Sequence, residues 1–180
     1  MNKKLSITLI CIGVLAMSFA LVQNWTVVDS NKITFKIKSA LGGVDGSVGG
    51  LKGTIAFDPS DLTATNLDVT LDLSTITTGN GKRDKDIKEE ATWFDMAKYP
   101  KIAFKSSSIT KTATGYTVNG TLTMKGTAKQ VQIPFTFVNA STGGTFTGYL
   151  KLNRLDYNVG KSTMMVKDTV DVMIMVPVKK

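Results

Sequence analysis

The sequence predicts an all-β protein: a sandwich or an up-and-down barrel of about eight antiparallel strands, with one short helical excursion. Three observations carry this. Apolar and polar residues alternate with a period of two in segment after segment, the pattern of half-buried strands. Threonine supplies 24 of 180 residues and proline only four, a composition suited to pleated surfaces. Gly, Asn, Asp and Ser fill the short gaps between alternating segments. A chain of 180 residues fits one domain, which at this size buries roughly 70% of its unfolded surface and needs neither metal nor disulfide for a core. Histidine is absent and cysteine occurs once, which excludes His-dependent triads, His-ligated zinc or haem and a disulfide scaffold.

The amino end is read first because it stands outside the fold. Lys3 and Lys4 precede an apolar run over 5–22, and Ser18-Phe19-Ala20 offers small residues for cleavage. This layout predicts a signal peptide over 1–20 and a mature domain over 21–180, exported to the periplasm or the extracellular space. The run is also near the ~18-residue minimum of a spanning helix. Ser6, Thr8 and Ser18 dilute it and no basic cluster follows, which favours cleavage over a retained anchor. Cys11 follows Leu9-Ile10 rather than the small residue that lipid attachment wants. Cleavage after Ala20 leaves a mature chain without thiols, and its net charge falls from +8 to +6 with the loss of Lys3 and Lys4. The remaining lysines are scattered singly, which argues against nucleic acid and leaves a peripheral contact with anionic membrane as a partner.

The strands follow in order. Ile33, Phe35 and Ile37 share one face of the first. Leu51, Gly53, Ile55 and Phe57 repeat the pattern, as do Leu67, Val69, Leu71 and Leu73. Ile102 and Phe104 come next, then Tyr116, Val118, Gly120, Leu122 and Met124. Val131, Ile133, Phe135 and Phe137 form another set, followed by Phe146, Gly148, Leu150 and Leu152. Val170, Val172, Ile174 and Val176 form the last. Between the first two sets, Gly42-Gly43-Val44-Asp45-Gly46 reads as a flexible turn. One interruption, over 78–100, carries Ile87, Ala91 and Phe94 at helical spacing, with Asp84 and Asp86 suited to a helix amino end and Pro100 as a stop. Such an excursion closes one end of a barrel or is a crossover that packs Trp93 and Phe94 into the core.

Two details bear on function. Gly53, Gly120 and Gly148 sit where the alternation demands inward side chains, which points to a cavity or to the close approach of another backbone. In the last strand Met173 and Met175 occupy the face that should meet solvent. Either the helix or a second subunit in a homodimer covers it, and Met164 and Met165 add to this apolar surface.

The blocks Thr78-Gly79-Asn80, Arg83-Asp84, Trp93-Phe94-Asp95 and Lys98-Tyr99-Pro100-Lys101-Ile102-Ala103-Phe104 resemble the YceI family. So do Val118-Asn119-Gly120-Thr121-Leu122-Thr123 with Gly126, Lys129 and Val131; Asn153-Arg154-Leu155-Asp156-Tyr157 with Gly160; and Trp25-Thr26-Val27-Val28-Asp29. The resemblance spans essentially the whole mature chain. It implies an exported, lipocalin-like antiparallel barrel that holds a polyisoprenoid or similar long-chain lipid, such as an isoprenoid quinone precursor or fatty-acyl amide, for carriage, storage or envelope stress response. Family members commonly carry histidine after the Arg-Asp pair where this chain has Ile87, so no contact by that histidine is carried over.

On this reading the barrel lining comprises Phe35, Ile37, Gly53, Ile55, Phe57, Val69, Leu71, Phe94, Ile102, Phe104, Gly120, Leu122, Ile133, Phe135, Phe146, Gly148, Leu150, Val172 and Ile174. Arg83 and Arg154 are head-group candidates, although bracing a loop or an ion pair is the commoner role for such residues. No cofactor, metal or catalytic residue is expected beyond the bound lipid. Strands of eight to ten residues give a barrel roughly 26–33 Å long, room for about twenty carbons. At ~0.3 kcal/mol per heavy atom such a ligand gains on the order of 6 kcal/mol. Two other functions fit less of the sequence: an envelope interaction module working through the Met-rich face without a lipid, and a glycan hydrolase built on carboxylates such as Asp84 and Asp86.

Overall fold

The computed structural model describes residues 22–28, 31–40 and 42–180. The proposed leader over 1–20, with Cys11, lies outside them. The chain forms β1 (Asn24–Val27), β2 (Lys32–Ser39), β3 (Gly42–Val48), β4 (Lys52–Ala56) and β5 (Asn66–Asp72). It continues through α1 (Gly81–Glu89), β6 (Lys101–Lys111), β7 (Tyr116–Met124), β8 (Thr127–Asn139), β9 (Gly143–Asn153) and β10 (Val166–Lys179).

Eight strands close a ring in the order β1-β4-β5-β6-β7-β8-β9-β10, and β10 returns to β1 through Val178 opposite Val27 and Lys179 opposite Thr26. Every pairing is antiparallel. The long β10 also carries β2, from Met175 opposite Lys32 to Val170 opposite Ile37, so β1 and β2 run in succession along its edge. The β2–β3 hairpin extends the wall beyond the ring. Its outer strand meets the opposite side through a bridge of Ser47 with Thr77 and through Val48 packed against Leu73 and Ile76, while β5 stops at Asp72. The segment 73–100 spans that gap. The fold is thus an eight-stranded closed antiparallel barrel with one helix, as the alternation and the resemblance predict.

Strand parity sets the core. In β7 the side chains of Val118, Leu122 and Met124 are buried with Gly120 between them, and the intervening residues are less so. In β6 the inward register changes at an irregularity between Ser106 and Ser108: Ile102 and Phe104 face in on one side of it, Ile109 on the other. That bulge is why the alternation in this strand fades after Phe104.

Two local readings are corrected and one strand is added. Residues 42–46, read as a turn, are the first five of strand β3, with Gly46 opposite Phe35. A Cβ on Gly46 would stand 2.2 Å from Cζ of Phe35, so the glycine makes room for the ring. The 24–27 segment, quoted above only for its resemblance, is strand β1, too short to alternate visibly. The helix is shorter than its stripe: Asn80 caps it, its side chain accepting from the Arg83 N–H at 3.0 Å, and Glu90 is already extended. Ala91 therefore lies past the end and is exposed, while Ile87 and Phe94 pack inward.

One end of the barrel is solid. Phe57 is 0% exposed and meets Tyr116, Phe135, Phe137 and Phe146 edge-on, with ring centroids 5.2–5.7 Å apart. Trp25 packs edge-on against Phe137, and its indole N–H donates to the Phe57 carbonyl at 2.9 Å. Such aromatic pairs contribute about 0.5–1.5 kcal/mol each beyond the area they bury. They fix where the hollow part of the barrel begins.

Candidate functional site

Above the aromatic plug lies a cavity of about 250 Å³. Ile55, Ile133, Phe135, Phe146, Gly148 and Val176 form the wall nearest the plug. Phe35, Ile37, Val69, Leu71, Ile102, Phe104, Leu122, Leu150, Val172 and Ile174 continue it upward, with Leu122 opposite Phe104 and Leu150 opposite Val172. Ile76, Ile87, Trp93 and Phe94 from the 73–100 segment close over it, and Val159 joins from the stretch after β9. The upper wall differs from the lower in one respect. Phe35, Leu71, Phe94, Ile102, Val172 and Ile174 stay only partly buried although they point inward, because they face the cavity.

Sixteen of the nineteen lining residues expected from the sequence border this cavity; Gly53, Phe57 and Gly120 do not. Phe57 is the centre of the plug. Gly53 is exposed at φ +129, where an added Cβ would stand 2.1 Å from the Asp68 carbonyl oxygen. Its absent side chain permits a close approach to β5. Gly120 is buried, but Phe104 lies over it, so it too relieves a contact and lines no open space. Gly148 alone of the three borders the cavity. Residues outside the expected set include Ile76, Ile87, Trp93 and Val159. Their segments have no strand period, so no alternation points to them. Ile33, Val48, Leu67 and Val118 lie on strands and share the inward parity of their neighbours.

The barrel is not hollow along the whole length of its strands. The estimate from strand length treats the whole barrel as hollow, whereas the aromatic rings occupy one end of it. At 250 Å³ the space lies just below the ~300 Å³ at which drug-sized pockets begin.

Among the described residues Arg154 is the one charged side chain on the wall, and it is 3% exposed. Its guanidinium donates to the carbonyls of Val159 at 2.9 Å, Lys161 at 2.9 Å and Lys167 at 3.2 Å, and to the Asp168 carboxylate at 2.8 Å. The Trp93 ring lies 5.6 Å away, within cation–π range. Four directed bonds make Arg154 a clamp on the chain between β9 and β10 while one edge of it borders the cavity. Arg83, the other head-group candidate, is exposed on α1 and away from the cavity wall. Asp84 braces the turn before α1: its carboxylate accepts from the Thr78 hydroxyl at 2.6 Å, the Thr78 N–H at 2.7 Å and the Thr77 hydroxyl at 2.7 Å. Those bonds, the Thr78 hydroxyl first, hold its pKa below the ordinary carboxylate value. Neither Asp84 nor Asp86 reaches the cavity.

On the outside of β10, Met173 and Met175 are exposed beside Tyr149 and Thr147 of β9. The helix does not cover them.

A family model for the YceI-like domain matches residues 25–178. Over 130 residues the chain is 28% identical to the YceI protein of Escherichia coli O17:K52:H18, covering 69% of this chain and 68% of that one. It is 27% identical over 139 residues to a UPF0312 protein of Pectobacterium atrosepticum, covering 73% and 71%. The crystal structure of BcnA from Burkholderia cenocepacia superposes with a TM-score of 0.78 at 28% identity, over 86% of this chain and 100% of the other. A polyisoprenoid binding domain from Saccharophagus degradans, implicated in plant cell wall breakdown, superposes with a TM-score of 0.67 over 88% and 99%. At 15% identity that likeness is one of fold.

Proposed function

The chain belongs to the YceI-like family, and from that membership and the hollow half of its barrel we propose that it is an exported lipid-binding protein rather than an enzyme. Its ligand is a long-chain isoprenoid or related lipid, such as an isoprenoid quinone precursor or fatty-acyl amide, held for carriage, storage or envelope stress response. The observation that carries this reading is the partly uncovered upper wall. Apolar side chains that face an unfilled interior gain roughly 25 cal/mol for each Å² a ligand covers. One segment of the chain lies in the cavity and the rest leaves past the 73–100 segment, since the aromatic plug closes the other end. The polyisoprenoid named for the Saccharophagus domain supports the same ligand class.

Export rests on the leader read over 1–20. The carboxylate-hydrolase reading gains nothing from the structure, because Asp84 is engaged with Thr77 and Thr78 away from the cavity. Native mass spectrometry of the purified protein, with organic extraction of what it carries, tests the proposal. An adduct of lipid mass that extraction removes is the expected result. A protein that emerges empty and then takes up no prenyl or acyl chain would falsify it.

A further inference from the structure

The stretch between β9 and β10 holds an exposed apolar pair that the cavity does not use. Met164 is 98% exposed and Met165 49%, and neither belongs to a core cluster. This stretch is built rather than slack. Arg154 grips its base through the carbonyls of Lys161 and Lys167, the Ser162 hydroxyl donates to Asp168 at 3.0 Å, and the Val166 N–H donates to the Thr163 hydroxyl at 3.2 Å. The tip is tied sideways as well, with the Ala40 N–H donating to the Met165 carbonyl at 2.9 Å. The methionines are therefore presented beside the turn of the β2–β3 hairpin. That is the hollow end of the barrel, since Arg154, Val159, Ile37 and Val170 of the cavity wall lie at the roots of these same elements.

The charges around the pair have one sign to spare. Lys36 of the hairpin faces Asp45 at 3.4 Å, and Asp168 is held by Arg154. Lys38, Lys161 and Lys167 form no ion pair among the described residues. Two flexible apolar side chains flanked by lysines that form no ion pair among the described residues, at the hollow end of the barrel, match the interface of an anionic bilayer. The thioethers enter the acyl boundary while the lysine stems lie along it and their ammonium groups meet phosphates. We propose that this rim docks the barrel onto anionic membrane, with Met164 and Met165 inserted and the cavity facing the lipid. The docking does not depend on which lipid the cavity holds.

Sedimentation with vesicles tests it, using phosphatidylcholine alone and phosphatidylcholine with about one third phosphatidylglycerol. The wild type is expected to pellet with the anionic vesicles at low salt, to be released as salt screens the contact, and to ignore the neutral ones. Met164→Asp with Met165→Asp should weaken that binding about tenfold or more. Lys161→Gln with Lys167→Gln should weaken it less and flatten its salt dependence. Uptake of a fluorescent prenyl probe delivered from cyclodextrin should be the same in the Met variant as in the wild type, so failure of lipid uptake and failure of docking read out separately. Absence of wild-type binding to anionic vesicles overturns the proposal, and so does undiminished binding by the Met164→Asp, Met165→Asp variant.

Discussion

The ring of Phe104 lies over Gly120: a Cβ there would stand 2.6 Å from Cζ of Phe104 and 2.5 Å from the Lys105 carbonyl oxygen. The same device recurs where Phe35 covers Gly46 and Phe137 covers Gly144. Each inward glycine gives the neighbouring strand's ring a place to lie flat against backbone. In this barrel glycine widens no cavity at these positions; it lets a large ring fit beside a strand.

That relationship predicts the outcome at Gly120. A leucine placed there, read from the alternation alone, projects into a cavity and blocks a ligand. With Phe104 and the Lys105 carbonyl in its way it overpacks the wall instead, a cost of roughly 1–3 kcal/mol or more. Urea denaturation of Gly120→Leu should show that loss. Gly120→Leu combined with Phe104→Ala should recover part of it, because the ring that collides is gone. A single variant as stable as the wild type, with reduced lipid uptake, would restore the cavity reading of Gly120.

Much of the fold is legible because strand parity is a local property. The segment from Tyr116 to Met124 alternates without a break and is β7 end to end. Parity also places Ile55, Val69, Leu122, Ile133, Leu150 and Val172 on the cavity wall. It does not say how far a side chain reaches. Phe57 and Ile55 share a face in sequence, yet Phe57 is the centre of an aromatic plug and Ile55 borders open space. The strand β3 is hidden because three of its seven residues are glycine and carry no pattern. Ile76, Trp93 and Val159 reach the wall from turns, where tertiary packing alone decides orientation.

Filling the cavity from its partly covered wall should abolish binding without unfolding the protein. Val172 borders the hollow and is only half-buried, so Val172→Trp extends an indole into empty volume. Uptake of a fluorescent prenyl or acyl probe should fall at least about tenfold, which is 1.4 kcal/mol of binding free energy. The urea midpoint should stay close to that of the wild type, since overpacking penalties arise in filled cores. A stable Val172→Trp protein that binds as well as the wild type would place the ligand elsewhere.

Acid stability should depend on the turn before α1. Hydrogen bonds from Thr78 and Thr77 lower the folded-state pKa of Asp84 below its ordinary value of 3.8. A carboxyl with a depressed folded pKa stabilises the fold above its unfolded pKa, and that contribution is lost as pH falls through the folded value. Asp72 behaves alike, its pKa lowered first by the Ser74 hydroxyl. Stability should therefore decline below about pH 4, and Asp84→Asn should make that decline shallower while lowering stability at neutral pH. Thermal melts between pH 3 and 7 measure both. An acid limb unchanged by Asp84→Asn would show that the Thr77 and Thr78 bonds form equally to the neutral acid.

The outer face of β10 carries the remaining test. Met173 lies opposite Tyr149, Met175 opposite Thr147, and both methionines are exposed. Of the two covers weighed from the sequence, α1 is elsewhere, packed through Ile87 over the cavity. A second copy of the chain is left. A C₂ contact brings the same patch from both protomers together, and each large apolar side chain fully buried there contributes roughly 1.5–3 kcal/mol. The wild type should then sediment as a dimer at high concentration, and Met173→Lys with Met175→Lys should give a soluble monomer of unchanged fold. Met164→Asp with Met165→Asp should leave the sedimentation coefficient alone, because that pair sits at the rim and not on the β9–β10 wall. A wild type that stays monomeric at every concentration removes the self-contact and leaves Met173 and Met175 as a surface for another partner.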